Sequence, residues 1–405
     1  MLVIRLAWKN MWRNRHRTAI TMAAMLFAVL LSITADSLKT GIFDNLVRNI
    51  VGSYSGYIQV HRKGYWDERI LENSFGYVDS MQRAVLSDNR ISAAAPRIES
   101  FVLASTGEQT RGCMAVGVAP LLEDDITALR SRVLQGAYLE SESRHVMVSE
   151  GLMRRMRLRL GDTIVLIGQG YQGATAAGKY RVGAVLGFGS PSLNEGFLFL
   201  SLSQGQELFA APGMVTSYAV SLQDAGELES VATDLRSRLG DAFEVMTWGE
   251  MMPDIRQHIR NDSGNMRVVQ GILYLLVCFG IFSTLLMMMA ERRTEMGMLV
   301  AIGMRKGLLA ATLLVESLFS VLCGCLIGML CAIPIVARLQ AHPIRISGKT
   351  AEAYQRFGFE PVFPAAMKMS QFLAQGLIVS AIGFLLSLYP VYRAFRTDPV
   401  TDLRK

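Results

Sequence analysis

Four long apolar runs are the dominant pattern in the chain. They cover residues 19–35, 268–290, 308–337 and 372–392. The second run contains no charged residue, and the third contains only Glu316. Because the hydrocarbon core of a bilayer is ~30 Å thick and is crossed by about 20 helical residues, each run is long enough to span a membrane. The pattern predicts four transmembrane helices.

The first run has two interpretations. Three arginines precede it and residues 33–35 resemble a cleavage site, as in a secretory signal peptide. However, its apolar core is long for a signal, and apolar residues recur at four-residue intervals from Leu38 to Ile50. Since that spacing marks one face of a helix, we expect a retained membrane helix that continues as a stalk.

The polar middle of the chain, residues 42–265, alternates short strand-like runs with turns. Strands are predicted at 56–60, 101–104, 115–118, 145–148, 163–167, 180–186 and 197–200. Helical patterns interrupt them near 79–86, 150–158 and 225–239. A further helical pattern at 250–267 leads into the second apolar run. The expected fold is a bundle of four membrane helices with a large α+β domain, carried on two helical stems, between helices one and two.

Charge placement supports a membrane protein. Only 19% of the 405 residues are charged, against about 25% in soluble proteins. The net charge of +7 is compatible with nucleic acid or with a membrane surface, but the basic residues cluster beside the apolar runs, which favours the membrane. They are Arg5, Lys9, Arg13, Arg15 and Arg17; Arg292, Arg293, Arg305 and Lys306; and Arg393, Arg396, Arg404 and Lys405. By the positive-inside rule these three segments are cytoplasmic and the large domain is outside. The 338–370 loop also carries basic residues, and the helix count alone places it outside.

No catalytic or metal site can be defended from the residues. The five cysteines form no disulfide framework, and the five histidines have no metal-ligand spacing. Residues 173–179 have the spacing of a phosphate-binding loop, but Tyr180 stands where a magnesium-binding hydroxyl is required, and a strand is predicted next. We therefore expect no catalytic residue, no bound metal or cofactor, and no ATP hydrolysis by this chain.

The third apolar run contains two features of interest. Glu316 is an ionisable residue in an apolar helix, where it can serve a proton relay or, as we favour, a structural hydrogen bond. Ser320, Gly324 and Gly328 are spaced four apart, which allows close helix packing in lipid. Such a contact can lie within the bundle or between subunits, or the small residues can be incidental.

The link after the second run, residues 291–306, is short, amphipathic and charged at both ends. Met296, Leu299 and Val300 are available for one apolar face. Such a helix can lie flat on lipid or dock into the groove of a cytoplasmic partner. Periodicity does not separate these alternatives.

This link resembles a known family. Glu291-Arg292, Glu295, Gly297 and Ala301-Ile302-Gly303 are similar to the ER-x-x-E-x-G-x-x-x-A-x-G pattern of ABC permeases of the FtsX/MacB type, or type VII. Further similarities, in chain order, are Trp8-Lys9-Asn10, residues 135–139, 148–150, 161–162 and 182–183, Pro390, Arg393-Ala394, Asp398-Pro399 and Leu403-Arg404. The resemblance therefore covers nearly the whole chain.

The resemblance implies a coupling helix seated on a cytoplasmic ATPase dimer, which would bind ATP and Mg²⁺. The implied coupling residues are Glu291, Arg292, Glu295, Met296, Gly297, Leu299, Val300, Ala301 and Gly303. It also implies a second permease subunit, identical or related, and a location in the cell inner membrane with cytoplasmic termini and a periplasmic domain.

Branches of this family differ in features that the sequence displays. MacB-type exporters carry an ATPase before helix one, where this sequence has residues 1–18, and the FtsX branch has a smaller outer domain than residues 42–265. Lol-type permeases match in length and domain size. This favours extraction of lipoproteins and transfer to a periplasmic carrier, with Met25, Val29, Leu273 and Leu276 as possible lipid contacts. Efflux of a periplasmic substrate and mechanotransmission to a periplasmic hydrolase are the alternatives.

The expected segments follow from these arguments. They are a cytoplasmic segment 1–18, helix one and stalk 19–41, periplasmic domain 42–265, helix two 266–290, coupling helix 291–307, helix three 308–337, periplasmic loop 338–370, helix four 371–392 and cytoplasmic tail 393–405.

Overall fold

A computed structural model describes residues 2–13, 15–77, 85–348, 351 and 362–396. The described residues form two compact units. The first, here called the membrane bundle, comprises the described parts of Met1–Asn45, Ile259–Arg345 and Val362–Lys405; the second, the outer domain, those of Leu46–His258 and Ile346–Pro361. The helix predicted near 79–86 falls mostly on residues 78–84, and the family-like ending beyond residue 396, so both lie outside the described residues.

The helices and strands have the following bounds. The helices are α1 Leu2–Arg13, α2 Arg15–Ile50, α3 Tyr65–Glu68, α4 Pro120–Thr127, α5 Glu150–Met156, α6 Pro191–Gly196, α7 Leu202–Leu208, α8 Leu228–Leu239, α9 Trp248–Met251, α10 Pro253–Glu291, α11 Arg293–Ala301, α12 Lys306–Ala341 and α13 Met369–Phe395. The strands are β1 Ile58–Arg62, β2 Phe75–Gly76, β3 Ile91–Ser105, β4 Thr110–Val118, β5 Val133–Gly136, β6 His145–Ser149, β7 Thr163–Gln169, β8 Thr175–Leu186, β9 Phe197–Ser201, β10 Met214–Val215, β11 Ser217–Leu222, β12 Phe243–Thr247, β13 Ile344–Arg345 and β14 Val362–Phe363.

Four helices of the described chain are long and apolar enough to cross a membrane, which confirms the prediction from hydropathy. They are α2 with the π-helical turn Val51–Ser55, α10, α12 and α13. The 39 residues of α10 make it about 58 Å long at 1.5 Å per residue, nearly twice the thickness of a bilayer core. The helix therefore extends beyond the membrane. The residues at which each helix enters and leaves the membrane stay predictions.

The stem before α10 differs from the prediction of one helix over 250–267. Helix α9 ends at Met251, and Met252 has the non-helical angles φ −127° and ψ 67°. Because Pro253 follows, steric conflict with the proline ring disfavours a helical conformation at Met252. The stem is therefore two helices separated by one non-helical residue.

The outer domain is built on a ten-stranded sheet in the order β12-β1-β11-β3-β4-β9-β6-β8-β5, with β7 paired to β3 and β8. Most pairs are antiparallel, but β4–β9 and β6–β8 are parallel. In β7 the buried Ile164 and Leu166 alternate with more exposed neighbours, as expected for a strand with one face on a core. The predicted α+β class is confirmed.

Residues 173–179 do not form a phosphate-binding loop. A 3₁₀ turn ends at Gly173, and β8 begins at Thr175 and pairs with β7 as a hairpin, with Lys179 opposite Val165. The backbone amides of this segment therefore belong to a sheet rather than to a helix N-terminus.

Candidate functional site

The segment between α10 and α12 is held in a defined shape at both ends. Only Arg292 separates α10 from α11. At the other end Gly303 has φ +103°, a left-handed conformation that glycine adopts without a steric penalty. Its amide donates to the Val300 carbonyl at 3.0 Å, and the Met304 amide donates to the Leu299 carbonyl at 3.0 Å. This Schellman pattern ends α11 sharply and turns the chain into α12.

Helix α11 presents two different faces. Met296 and Val300, four residues apart, pack into a cluster with Met289, Leu309 and Leu313 of the membrane bundle. On another face Met298, Leu299 and Ile302 are exposed, Ile302 to 81%. The apolar face predicted from Met296, Leu299 and Val300 is therefore wrong, because Met296 and Val300 point into the bundle while Leu299 points outward.

The exposed face borders a groove of about 410 Å³. Leu6, Asn10 and Arg13 of α1 form one side, and α11 with the start of α12 forms the other. Arg13 Nη2 donates to Glu295 Oε2 at 3.2 Å and joins the two sides. Both side chains are largely exposed, so this ion pair contributes at most about 1 kcal/mol. The groove combines apolar walls with a charged rim, which suits the docking of another protein.

Of the other predicted coupling residues, Gly297 is buried within α11, while Glu291, Ala301 and Gly303 are exposed. Sequence reasoning missed Met298 and did not place Ile302 on the outward face. The spacing of four residues between Met298 and Ile302 was the available signal, since such residues share a helix face.

A buried ion pair fixes the corner before α11. Arg292 Nη1 donates to Glu316 Oε2 at 2.6 Å, and the two side chains are 5% and 2% exposed. The Glu316 backbone carbonyl accepts from Ser320 Oγ at 3.0 Å. Because an arginine stays protonated at all accessible pH values, it cannot pass a proton on from Glu316. The geometry is that of a structural anchor between the α10–α11 corner and α12.

The small residues of α12 lie against α2. A Cβ atom on Gly324 would be 2.5 Å from Met25 Cβ and 2.8 Å from the Met22 carbonyl oxygen. One on Gly328 would be 2.8 Å from the Leu26 carbonyl oxygen. All three distances are too short for any side chain, so glycine permits this close approach of two helices within the membrane bundle.

The same packing changes the expected lipid contacts. Met25 and Val29 are fully buried beneath α12, so their expected contact with lipid is wrong for this arrangement of the helices. Leu273 is half-buried, and Leu276 is 64% exposed on α10. Of the four residues, Leu276 is therefore the one most open to lipid or to another subunit.

A polar network joins α2, α10 and α13. Gln375 Oε1 accepts from Ser32 Oγ at 2.5 Å and from the Tyr274 hydroxyl at 2.6 Å. Gln270 Nε2 donates to the Tyr274 oxygen at 3.0 Å, and Lys39 Nζ donates to Gln270 Oε1 at 3.3 Å. The hydrogen bonds of this network that join different helices contribute on average about 0.6 kcal/mol each. Sequence reasoning missed the network, although Tyr274 and Gln375 stand out as polar residues in apolar runs.

The comparison with known families covers most of the chain. Residues 18–238 match the model described as MacB-like periplasmic core domain, and residues 267–399 match the FtsX-like permease C-terminal. The chain belongs to the FtsX/MacB-type ABC permeases. This confirms the predicted resemblance and the placement of the large domain between the first and second membrane helices. The permease is thus a multi-pass membrane protein with a periplasmic or extracellular domain, and membership of an ABC family implies an ATPase partner.

Individual relatives of the permease are distant. The lipoprotein-releasing system transmembrane protein LolC of Xylella fastidiosa (strain Temecula1) is 21% identical over 97% of this chain and 95% of that protein. LolE of Haemophilus influenzae is 20% identical over 82% of both chains. The crystal structure of the periplasmic region of MacB from Actinobacillus actinomycetemcomitans matches 53% of this chain and 98% of that one, with 17% identity and a TM-score of 0.36.

Proposed function

We propose that this permease is the membrane subunit of an ATP-driven type VII transporter that extracts lipoproteins from the outer leaflet of the inner membrane. The observation that carries the transport assignment is the exposed apolar face of α11, defined by Met298, Leu299 and Ile302. The lipoprotein assignment is supported by similarity to LolC and LolE relatives over 82–97% of this chain. A periplasmic carrier would receive the extracted lipoprotein.

In this proposal α11 is the coupling helix and docks into a groove of a cytoplasmic ATPase dimer that binds ATP and Mg²⁺. Burial of one large aliphatic side chain contributes about 1.5–3 kcal/mol, so Ile302 is an effective anchor. Glu295, held by Arg13, and the exposed Glu291 and Ala301 would surround that anchor.

The orientation of the permease follows from its basic residues. Arg293 begins α11, Arg305 and Lys306 follow α11, and further basic residues precede α2 and follow α13. By the positive-inside rule, both termini and α11 lie in the cytoplasm and the outer domain lies in the periplasm.

Lipoprotein extraction needs both energy and an apolar receiving surface. Each buried CH₂ of an acyl chain contributes ~0.8 kcal/mol to membrane binding, so a chain of about 16 carbons is held by about 13 kcal/mol. The exposed side of α10 around Leu276, with Leu273 beside it, is a suitable surface for such chains. A second permease subunit, identical or related, would complete the cavity and is expected to face this side.

Docking can be tested with one substitution in α11. Ile302→Glu places a charge in the apolar anchor, and we expect the purified complex to lose its ATPase subunit. Ile70→Glu, at an exposed isoleucine of the outer domain, is the matched control and should retain it. Retention of the ATPase by Ile302→Glu would remove the support for α11 as the coupling helix.

The cargo can be tested separately on the intact complex. We expect purification in mild detergent followed by mass spectrometry to recover acylated proteins with the permease and its ATPase. Recovery of a periplasmic hydrolase without acylated protein would contradict lipoprotein release and support mechanotransmission. Recovery of a small periplasmic substrate would contradict lipoprotein release and support efflux. The same measurement decides between a homodimer and a heterodimer.

A further inference from the structure

A cavity of about 490 Å³ lies inside the outer domain. Its walls are rich in aromatic rings, including Tyr54, Tyr65, Trp66 and Phe197. Tyr54 and Phe197 pack edge to face with ring centroids 4.9 Å apart. The volume falls in the range of ~300–1,000 Å³ found for sites of small organic ligands. This cavity takes no part in the docking of α11.

The cavity contains a buried carboxylate. Glu99 is only 8% exposed and accepts hydrogen bonds from the Tyr54 hydroxyl and, at 3.4 Å, from Ser217 Oγ. Among the residues that the structure describes, no cationic group lies within 4 Å of its oxygens. Arg97 interacts electrostatically with Glu99 from beyond that distance but forms its hydrogen bonds with Glu123, so Glu99 would still gain from a cation that enters the cavity.

The nearest buried cation is already engaged. Arg97 Nε and Nη2 each donate to Glu123 at 2.8 Å, and both side chains are almost fully buried. Together Arg97, Glu99 and Glu123 therefore carry one positive and two negative charges. His61, stacked on Tyr65 at 5.0 Å, adds no charge near neutral pH because burial lowers its pKa to about 4. The interior behind the cavity is thus net negative.

The rim of the cavity carries two opposite charges. The Arg69 guanidinium lies 4.1 Å from the centroid of the Trp66 ring, and Glu68 Oε2 accepts from Asn73 Nδ2 at 3.0 Å. Arg69 and Glu68 are exposed, so their fields largely cancel and are screened by solvent. The buried Glu99 consequently determines which charge the cavity prefers.

We propose that this cavity binds an organic cation with an apolar body, as an ammonium or guanidinium group on a hydrophobic chain. Glu99 would pair with the charge, and the aromatic and apolar wall that includes Phe197 would receive the body. A carboxylate ligand would be repelled by Glu99. The cation can come from a lysine or arginine of an apolar peptide segment or from a free amine.

The position of the cavity links it to both stems. Tyr54 belongs to the turn Val51–Ser55 that follows α2, and Met251 and Met252 directly precede α10. A ligand in the cavity therefore contacts both segments through which the outer domain continues into membrane helices. If the cavity binds the ligand with different affinities in two arrangements of the stems, the ligand shifts the equilibrium toward the arrangement that binds it more tightly. The size of the shift is the ratio of the two affinities. This inference is independent of the lipoprotein assignment.

The test uses the full-length permease in nanodiscs of uncharged phosphatidylcholine. Isothermal titration calorimetry compares acetyl-Leu-Lys-Leu-amide with its neutral analogue acetyl-Leu-Gln-Leu-amide. We expect the lysine peptide to bind at least tenfold more tightly. Glu99→Gln keeps the hydrogen-bond acceptor for Tyr54 and should abolish that preference, whereas Glu244→Gln, on β12 and outside the cavity, should retain it.

Hexylamine and 1-hexanol distinguish the sources of the cation. If hexylamine is preferred over hexanol as strongly as the lysine peptide is preferred over the glutamine peptide, free amines are ligands. If the preference is seen only with the peptides, the ligand is a peptide segment. Both results support the proposal. Equal binding of the two peptides, a preference that survives Glu99→Gln, or no binding of any probe overturns it. If Glu99→Gln fails to fold, Ser192→Trp fills the cavity from its exposed rim and must abolish binding.

Discussion

Replacing Glu316 by glutamine leaves the Arg292 guanidinium buried without the carboxylate that accepts its hydrogen bond at 2.6 Å. Because the two side chains are 5% and 2% exposed, solvent cannot take over the role of the lost charge. Removal of one partner of such a buried pair costs about 3–5 kcal/mol, against about 0.2–1 kcal/mol for an exposed pair. We therefore expect Glu316→Gln to lower the free energy of unfolding by at least about 3 kcal/mol.

The measurement is reversible unfolding by dodecyl sulfate in mixed micelles, followed by circular dichroism. The double variant Arg292→Met/Glu316→Leu replaces both charges by apolar groups of similar volume and should be nearly as stable as the unmodified permease. Glu295→Gln is the control in the same segment, because it breaks only the exposed pair with Arg13 and should cost less than about 1 kcal/mol.

Two results would refute this reasoning. One is a loss below about 1 kcal/mol in Glu316→Gln, which is the range of a solvated pair. The other is a double variant no more stable than the less stable single variant, which would mean that packing rather than charge pairing holds the corner.

Two further outcomes follow from packing and from burial. Gly324→Ala would bring a methyl group within 2.5 Å of Met25 Cβ, so we expect the free energy of unfolding to fall by about 1–3 kcal/mol in the same assay. Gly280→Ala is the control, because it has open space around it and should not destabilise the protein. Equal effects of the two substitutions would contradict the close approach of α12 and α2. Burial lowers the pKa of His61 from 6.5 to about 4. As the pH falls, the unfolded chain therefore binds a proton at this histidine before the folded chain does. The folded state loses about 3 kcal/mol of stability in total between about pH 6.5 and pH 4. His61→Phe should remove that loss in urea unfolding between pH 7 and pH 4. An unaltered pH dependence in His61→Phe would assign the acid sensitivity to other groups.

Local patterns were enough to predict the membrane helices and most of the sheet. Hydropathy identifies a membrane helix because lipid demands apolar residues along its whole length, and alternation identifies strands such as β7 because one face is buried. Strands β5, β11 and β12 of this sheet were missed. Strand β11 lies between β1 and β3 and is buried along most of its length, so it has no clear alternation.

The functional contacts were harder to predict because they join distant residues. Glu316 stood out as a charge in an apolar run, but its partner Arg292 lies at the corner between α10 and α11, 24 positions away. The two faces of α11 could not be assigned from its own residues, since both faces are apolar and only the bundle decides that Met296 turns inward. Met25 was likewise predicted to contact lipid, but it is buried by the close approach of Gly324.

The turns on either side of α11 differ in length, and this difference has a mechanical consequence. A single residue, Arg292, joins α11 to α10, whereas four residues, 302–305, join it to α12. A short joint is stiff because few dihedral angles can absorb a displacement, and a longer joint is more compliant. If α11 is the coupling helix, a displacement of it would pass through the one-residue joint at Arg292 into α10, whose first residue, Pro253, follows Met252 in the chain.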